Sequence, residues 1–191
     1  VCHRRTNYAR SRLQAFCRKT RRVFPTVSDC RTPSAVSFSV YLPVRGMGKP
    51  SHGVSLGGSL ENRLRFAREG VEEIKRRCGD DFPVALRFSV KSMIKDWRDG
   101  ALPGEEFEEK GRDIEEGLEA ARLLVEYGYD ALDTDVGTYD AWWWNHPPMY
   151  QEKGLYRPYC KMVKDVVDVP VLCAGRMDDP QMASASLENG E

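Results

Sequence analysis

Helices and strands alternate along this chain from about residue 57 to its end, and this alternation constrains the fold more than any other feature. Helical spacing of apolar residues predicts four helices, at about 60–77, 105–127, 156–167 and from 180 onward. Apolar runs predict three strands, at 82–90, 131–136 and 169–174. Strands joined by helices run parallel, with helices covering the sheet, as in a (β/α)8 barrel or an open doubly wound sheet.

Two longer loops interrupt the alternation. Residues 91–108 are predicted as a polar loop with turn signals at Gly100 and Pro103, and residues 137–148 as an aromatic loop. No Gly-x-Gly-x-x-Gly follows any of the three strands, which argues against an open sheet that binds a dinucleotide.

Residues 1–54 differ from the rest of the chain. They hold eleven Lys or Arg residues and one acid, so they carry a net charge of +10 against −10 for the remainder. They show neither helical nor strand periodicity, which predicts an irregular or disordered basic segment. Three interpretations are open: an out-of-frame or misannotated stretch, which we prefer, an organellar transit peptide, or a nucleic-acid-binding arm. Sparse aromatic residues and the lack of a motif disfavour nucleic acid as a partner.

The six cysteines form no Cys-x-x-Cys pair and no zinc-ligand spacing, so no metal site is predicted. This use of cysteine fits a reducing cytoplasm better than a compartment that forms disulfides. No apolar run approaches the ~20 residues needed to span a bilayer, and the first residues lack the apolar stretch of a secretory signal.

Four sequence motifs stand out: Gly57-Gly58-Ser59-Leu60-Glu61-Asn62-Arg63, Leu86-Arg87-Phe88-Ser89, Tyr139 to Trp144 with His146 to Tyr150, and Ala174-Gly175-Arg176-Met177. Together they resemble the flavin-dependent Old Yellow Enzyme family, in its 2-enoate reductase and 2,4-dienoyl-CoA reductase branch, which includes bile-acid Δ4-steroid reductases. The resemblance covers residues 55–191. It implies an α/β fold, a partial TIM (β/α)8 barrel with about its fifth to seventh strands and their helices.

The resemblance also implies which residues meet FMN at the mouth of the barrel. Arg87 would reach the N1/O2 edge of the flavin, where reduced flavin carries negative charge, and Ala174, Gly175 and Arg176 would bind its phosphate. Tyr139, Trp142, Trp143 and His146 are expected beside the substrate. Other interpretations stay open: Arg87 could pair with Asp133 or Asp135, the tryptophans could pack on the barrel or a partner domain, and Gly175 could form a plain turn.

The activity implied is hydride transfer from NAD(P)H through FMN to an activated C=C bond of an enoate, an enoyl thioester or a Δ4-steroid. We find no match to the family's His pair, to its first and last strands, or to the 4Fe-4S and FAD regions of this branch. We therefore assign no catalytic residue, and we expect the chain to be an inactive fragment when it is alone. The alternatives are a non-catalytic module that binds nucleic acid or an acidic partner, and a different phosphate-binding barrel.

Overall fold

The computed structural model describes residues 36–39 and 58–190 of the 191-residue chain. In chain order, its elements are β1 (Val36–Ser39), α1 (Leu60–Cys78), β2 (Val84–Lys91), β3 (Ile94–Asp96), β4 (Asp99–Gly100), α2 (Ile114–Glu126), β5 (Ala131–Val136), α3 (Trp142–Asn145), α4 (Arg157–Lys164), β6 (Val171–Cys173) and α5 (Pro180–Glu188). A 3-10 turn, Tyr139–Ala141, leads into α3. None of the described helices is both long and apolar enough to cross a membrane.

The main sheet has four parallel strands in the order β1-β2-β5-β6, and it does not close on itself. Helices link β1 to β2, β2 to β5, and β5 to β6, as in parallel βαβ units. This arrangement is a partial TIM barrel, so the fold predicted from the sequence is confirmed.

The two faces of the sheet differ in chemistry. On β2 the side chains of Leu86, Phe88 and Val90 are at most 1% exposed and pack in the core beneath the helices. The intervening residues point to the other side, which corresponds to the barrel interior. We call this side the open face, and it comprises Ala85, Arg87 and Ser89 of β2, Asp133 and Asp135 of β5, and Leu172 of β6.

The glycine-rich motif begins α1 and fastens it to α2. Gly58 has a φ of +90°, a conformation that favours glycine, and the Ser59 hydroxyl accepts a hydrogen bond from the Asn62 N–H at 3.3 Å. Arg63 donates two hydrogen bonds to Glu116 of α2, at 2.6 and 2.7 Å. The motif therefore supplies both the helix cap and a buried ion pair between neighbouring helices.

The sequence predicts no strand before residue 55, and this is wrong for β1, which pairs in parallel with β2. The missed signal is the alternation of Val36, Phe38 and Val40 with serines, which is typical of a strand. Residues 1–35 and 40–57 lie outside the described residues. Whether residues 1–54 are disordered, out of frame or a natural arm therefore stays a prediction.

The second predicted helix, 105–127, is shorter than expected, because α2 begins at Ile114. The Glu109 carboxylate accepts hydrogen bonds from the backbone N–H groups of Met93, Ile94 and Gly111, which holds the preceding segment against the β3–β4 hairpin. That hairpin lies within the predicted loop 91–108. Asp113 then caps α2 by accepting a hydrogen bond from the Glu116 N–H.

Candidate functional site

Arg87 lies on the open face between two carboxylates. Its Nε donates to Asp135 Oδ2 at 2.9 Å, and one of its terminal nitrogens lies 3.4 Å from Asp133 Oδ2. Burial raises the pKa of both aspartates, while the charge of Arg87 works in the opposite direction. The pairing that was left open as an alternative to a flavin contact is therefore present. Because the Arg87 side chain is still 32% exposed, this pairing leaves a cation accessible on the open face.

Asp135 is the most enclosed charged group on this face. Its side chain is 6% exposed, and its Oδ2 atom accepts a second hydrogen bond from Asn145 Nδ2 at 3.1 Å. Its Oδ1 atom is buried and has no hydrogen-bond partner among the described residues. Asp135 thus connects β2 to α3 while one of its carboxylate oxygens is unpaired.

Tyr156 joins α3 to the end of β6. Its hydroxyl lies 2.5 Å from the Trp144 carbonyl oxygen and 2.7 Å from that of Asn145. A Cβ atom at Gly175 would come within 2.6 Å of the Tyr156 ring, so only glycine fits there. Burial raises the pKa of Tyr156, so its hydroxyl stays protonated as a donor to these carbonyl groups.

The turn after β6 contains the predicted phosphate-binding residues Ala174, Gly175 and Arg176. Gly175 and Arg176 both have a left-handed backbone, and their carbonyl oxygens accept hydrogen bonds from the loop before α4. Within the described part of the chain, their own N–H groups have no backbone carbonyl as acceptor. The Arg176 guanidinium donates to the carbonyl oxygens of Met149 and Gln151, so this side chain secures a neighbouring loop.

Three rings of the aromatic loop form a stack. Trp142 lies between Tyr139, with ring centroids 5.6 Å apart, and His146, with centroids 3.9 Å apart. Trp142 is 46% exposed and Tyr139 is 59% exposed. We call these three residues the aromatic stack; the residue before His146, Asn145, donates a hydrogen bond to Asp135.

The other two tryptophans of the run pack on the hairpin. The indole N–H groups of Trp143 and Trp144 both lie 2.7 Å from the Ala101 carbonyl oxygen, which follows β4. Gly100 permits this packing, because a Cβ atom there would lie 2.5 Å from the Asp140 carbonyl oxygen. Trp143 is therefore engaged in structural contacts, and its predicted place beside the substrate stays a prediction.

A separate cleft of about 550 Å³ lies at the opposite end of the sheet, next to the amino ends of β2 and β5. Its cation, Lys75, donates to Asp130 Oδ2 at 2.7 Å and to the carbonyl oxygens of Asp80 and Phe82 at 2.9 Å. These contacts satisfy the ammonium group, which indicates a structural role. No group of three metal-binding side chains occurs within the described residues.

The structure brings part of the predicted site together, in part through Asn145 and Tyr156, which sequence reasoning missed. Arg87 and Asn145 both hydrogen-bond to Asp135. Gly175 packs against the ring of Tyr156, whose hydroxyl is hydrogen-bonded to α3. The sequence already offers Asp133 and Asp135 as possible partners of Arg87, and both contact it; alternate residues of a strand share one face. Asn145 and Tyr156 carry no comparable sequence signal, since long-range packing alone determines their positions.

The fold and site define a partial barrel whose inner face carries an arginine and two carboxylates. A sequence model of the NADH:flavin oxidoreductase / NADH oxidase family matches residues 54–191, and the chain belongs to this family. Members of this family bind FMN as intact enzymes. The family predicted from the motifs is thereby confirmed, and the alternative of a different phosphate-binding barrel is excluded.

Two relatives and one solved structure illustrate the similarity. Cinnamate reductase of Clostridium sporogenes is 67% identical over 135 residues, which are 71% of this chain and 20% of that protein. NADH oxidase of Thermoanaerobacter brockii is 31% identical over 134 residues, which are 70% and 18% of the two chains. The chain thus spans about a fifth of the length of these relatives. The 6-hydroxypseudooxynicotine amine oxidase of Pseudomonas geniculata N1 matches 82% of this chain and 22% of its own with a TM-score of 0.60, and at 22% identity it supports the fold alone.

Proposed function

We propose that this chain carries part of the FMN and substrate site of an ene-reductase that transfers hydride from NAD(P)H through FMN to the C=C bond of an enoate. Family membership supports the cofactor, and the 67% identity to a cinnamate reductase supports an α,β-unsaturated carboxylate as the substrate class. We place the intact enzyme in a reducing cytoplasm, since Cys78 and Cys160 are not joined in disulfides.

The residues present fit FMN in two respects. Arg87 offers a partly exposed cation on the open face, and among the residues that the structure describes the N–H groups of Gly175 and Arg176, a few residues before α5, have no backbone acceptor. Backbone N–H groups near a helix start form a favourable site for phosphate. The Arg176 guanidinium is held by two carbonyl groups, so we assign phosphate binding to the backbone of residues 174–176.

When bound, FMN supplies the hydride chemistry, and the chain's own residues orient and stabilise it. Arg87 would place a positive charge beside the N1/O2 edge of the flavin, where negative charge develops on reduction. The aromatic stack of Tyr139, Trp142 and His146 would form an apolar wall for the substrate beside the flavin. Trp143 would support this wall from behind, through its hydrogen bond to Ala101.

The observation that carries the proposal is the accessible Arg87 guanidinium on the inner face of a barrel from this family. A chimera tests it, in which residues 54–191 replace the matching segment of the Clostridium sporogenes cinnamate reductase. We expect the chimera to bind FMN and to reduce cinnamate. Arg87→Gln in the chimera should lower kcat/KM about 100-fold, as for loss of one electrostatic stabiliser. Arg122→Gln, at an exposed ion pair on α2, is the matched control and should leave it unchanged.

Two results would contradict the proposal. A folded, FMN-loaded chimera that does not reduce cinnamate would refute the proposed reaction. Full activity after Arg87→Gln would show instead that the reaction does not depend on this cation.

A further inference from the structure

Asp135 makes more contacts than a simple ion pair with Arg87 requires, and yet one of its carboxylate oxygens is unsatisfied among the described residues. Residues from two other elements converge on its Oδ2 atom, Arg87 from β2 at 2.9 Å and Asn145 from α3 at 3.1 Å. Its Oδ1 atom is buried without a partner among the described residues. Buried polar atoms are almost always hydrogen-bonded, and a buried carboxylate is costly unless it is well paired. Packing within the described fold therefore does not account for this carboxylate.

The neighbouring Asp133 provides an internal comparison. It contacts the same guanidinium from the same strand, but at 3.4 Å, and its side chain is 19% exposed. Asp135 makes the closer contact and, unlike Asp133, is also hydrogen-bonded to Asn145. Loss of Asp133 would therefore leave Arg87 held through its Nε atom, whereas loss of Asp135 would remove both that contact and the hydrogen bond from Asn145 of α3.

We propose that Asp135 is a positioning residue of the flavin site: it holds Arg87 in the orientation that meets the flavin and couples that orientation to the aromatic segment through Asn145. The inference rests on the proposed function, since it assigns to Asp135 an action through Arg87 on bound FMN. Asp135 sets the direction of the cation, and Asn145 fixes α3, which carries Trp142, to the same carboxylate.

A double-mutant cycle on the full 191-residue chain tests this coupling. FMN affinity is measured by fluorescence titration for the unaltered chain, Asp135→Asn, Arg87→Gln and the double variant. We expect each single variant to weaken binding about tenfold, which lies within the range of coupling between residues in contact. The double variant should bind no more weakly than either single variant, because Asp135 acts through Arg87. Asp133→Asn is the matched control and should weaken binding about threefold or less.

A second measurement needs no flavin. The Arg87 Nε–H signal in NMR spectra should be protected from solvent exchange in the unaltered chain and in Asp133→Asn, and should lose protection in Asp135→Asn. If Asp135→Asn reduces the helical circular dichroism signal, Asp135→Glu replaces it in the cycle, because this variant keeps the charge but displaces the carboxylate by one methylene.

The outcomes separate the two proposals. Unchanged FMN affinity in Asp135→Asn would overturn the positioning role and leave the proposed function standing. So would a double variant whose loss of FMN affinity equals the product of the two single losses. Retained protection of the Arg87 Nε–H in Asp135→Asn would also overturn it. Failure of the unaltered, folded chain to bind FMN would refute the proposed FMN site in this chain, and with it the inference.

Discussion

The buried charge cluster between α1 and α2 predicts an unequal response to two substitutions. The Arg63 and Glu116 side chains are 4% and 8% exposed, and their hydrogen bonds are 2.6 and 2.7 Å long. The Nε atom of Arg112, which is also buried, lies 3.6 Å from the same carboxylate. Burial lowers the pKa of Arg112 to about 10, with Glu116 opposing and Arg63 reinforcing the shift. Two cations therefore share one anion where solvent provides little screening.

Removing one partner of a buried pair costs about 3–5 kcal/mol, because the other charge is left unpaired. Glu116→Gln leaves two buried cations facing each other, so we expect the upper end, about 5 kcal/mol. Arg63→Met leaves Glu116 beside Arg112 as a balanced pair, so we expect about 3 kcal/mol or less. The glutamate substitution should therefore cost about 2 kcal/mol more than the arginine substitution.

Urea unfolding followed by tryptophan fluorescence and circular dichroism measures both free energies of unfolding. Glu119→Gln, which removes an exposed partner of Arg122 on the same helix, is the control and should cost less than about 1 kcal/mol. Arg63→Met costing as much as Glu116→Gln would refute the shared-anion account. Costs close to that of the control for both variants would show that the cluster does not hold α1 on α2.

Three further substitutions test other parts of the structure. Gly117→Ala should lower the free energy of unfolding by about 3 kcal/mol or more, because the new Cβ would lie 1.9 Å from a β2 carbonyl oxygen. In the control Gly70→Ala the new Cβ has nothing within 4 Å, so this variant should raise the free energy of unfolding by about 1 kcal/mol. Equal effects of the two variants in urea unfolding would contradict the close packing of α2 on β2. Tyr156→Phe should cost about 1–3 kcal/mol by leaving α3 carbonyl groups unsatisfied, and an unchanged urea midpoint would refute the contact. Burial raises the pKa of Asp135 above 3.8, so its contribution to the free energy of unfolding should decline as the pH rises from 3.8 through the folded-state pKa. The stability of the unaltered chain minus that of Asp135→Asn should fall over that range in urea titrations, and a rise would contradict the sign.

Elements whose pattern is local were predictable from the sequence. β2 and β5 lie within two residues of the predicted strands, because alternation and apolar runs are properties of consecutive residues. The caps of α1 and α5 also follow local rules, with Ser59 and Asp179 each accepting a backbone hydrogen bond. The motif Gly57–Arg63 was recognised, but its role in joining α1 to α2 was not predicted, because Glu116, the partner of Arg63, lies 53 residues away in the sequence.

Elements that depend on distant partners were not predictable. Residues 105–113 have helical composition, yet Glu109 accepts hydrogen bonds from backbone N–H groups of Met93 and Ile94, and the segment is not helical. The same reason applies to the candidate site. The placement of Arg87 follows from its strand, whereas the use of the Arg176 side chain to hold Met149 and Gln151 depends on a loop that sequence patterns do not position.

The most direct test of the central claim is an NMR titration of the 191-residue chain with FMN, read amide by amide. The account predicts shifts at the carboxyl ends of the strands, around Arg87, Asp135 and residues 174–176. It predicts none in the cleft around Lys75 and Asp130 at the opposite end of the sheet. Shifts confined to that cleft, or no shifts in a folded chain, would contradict the account.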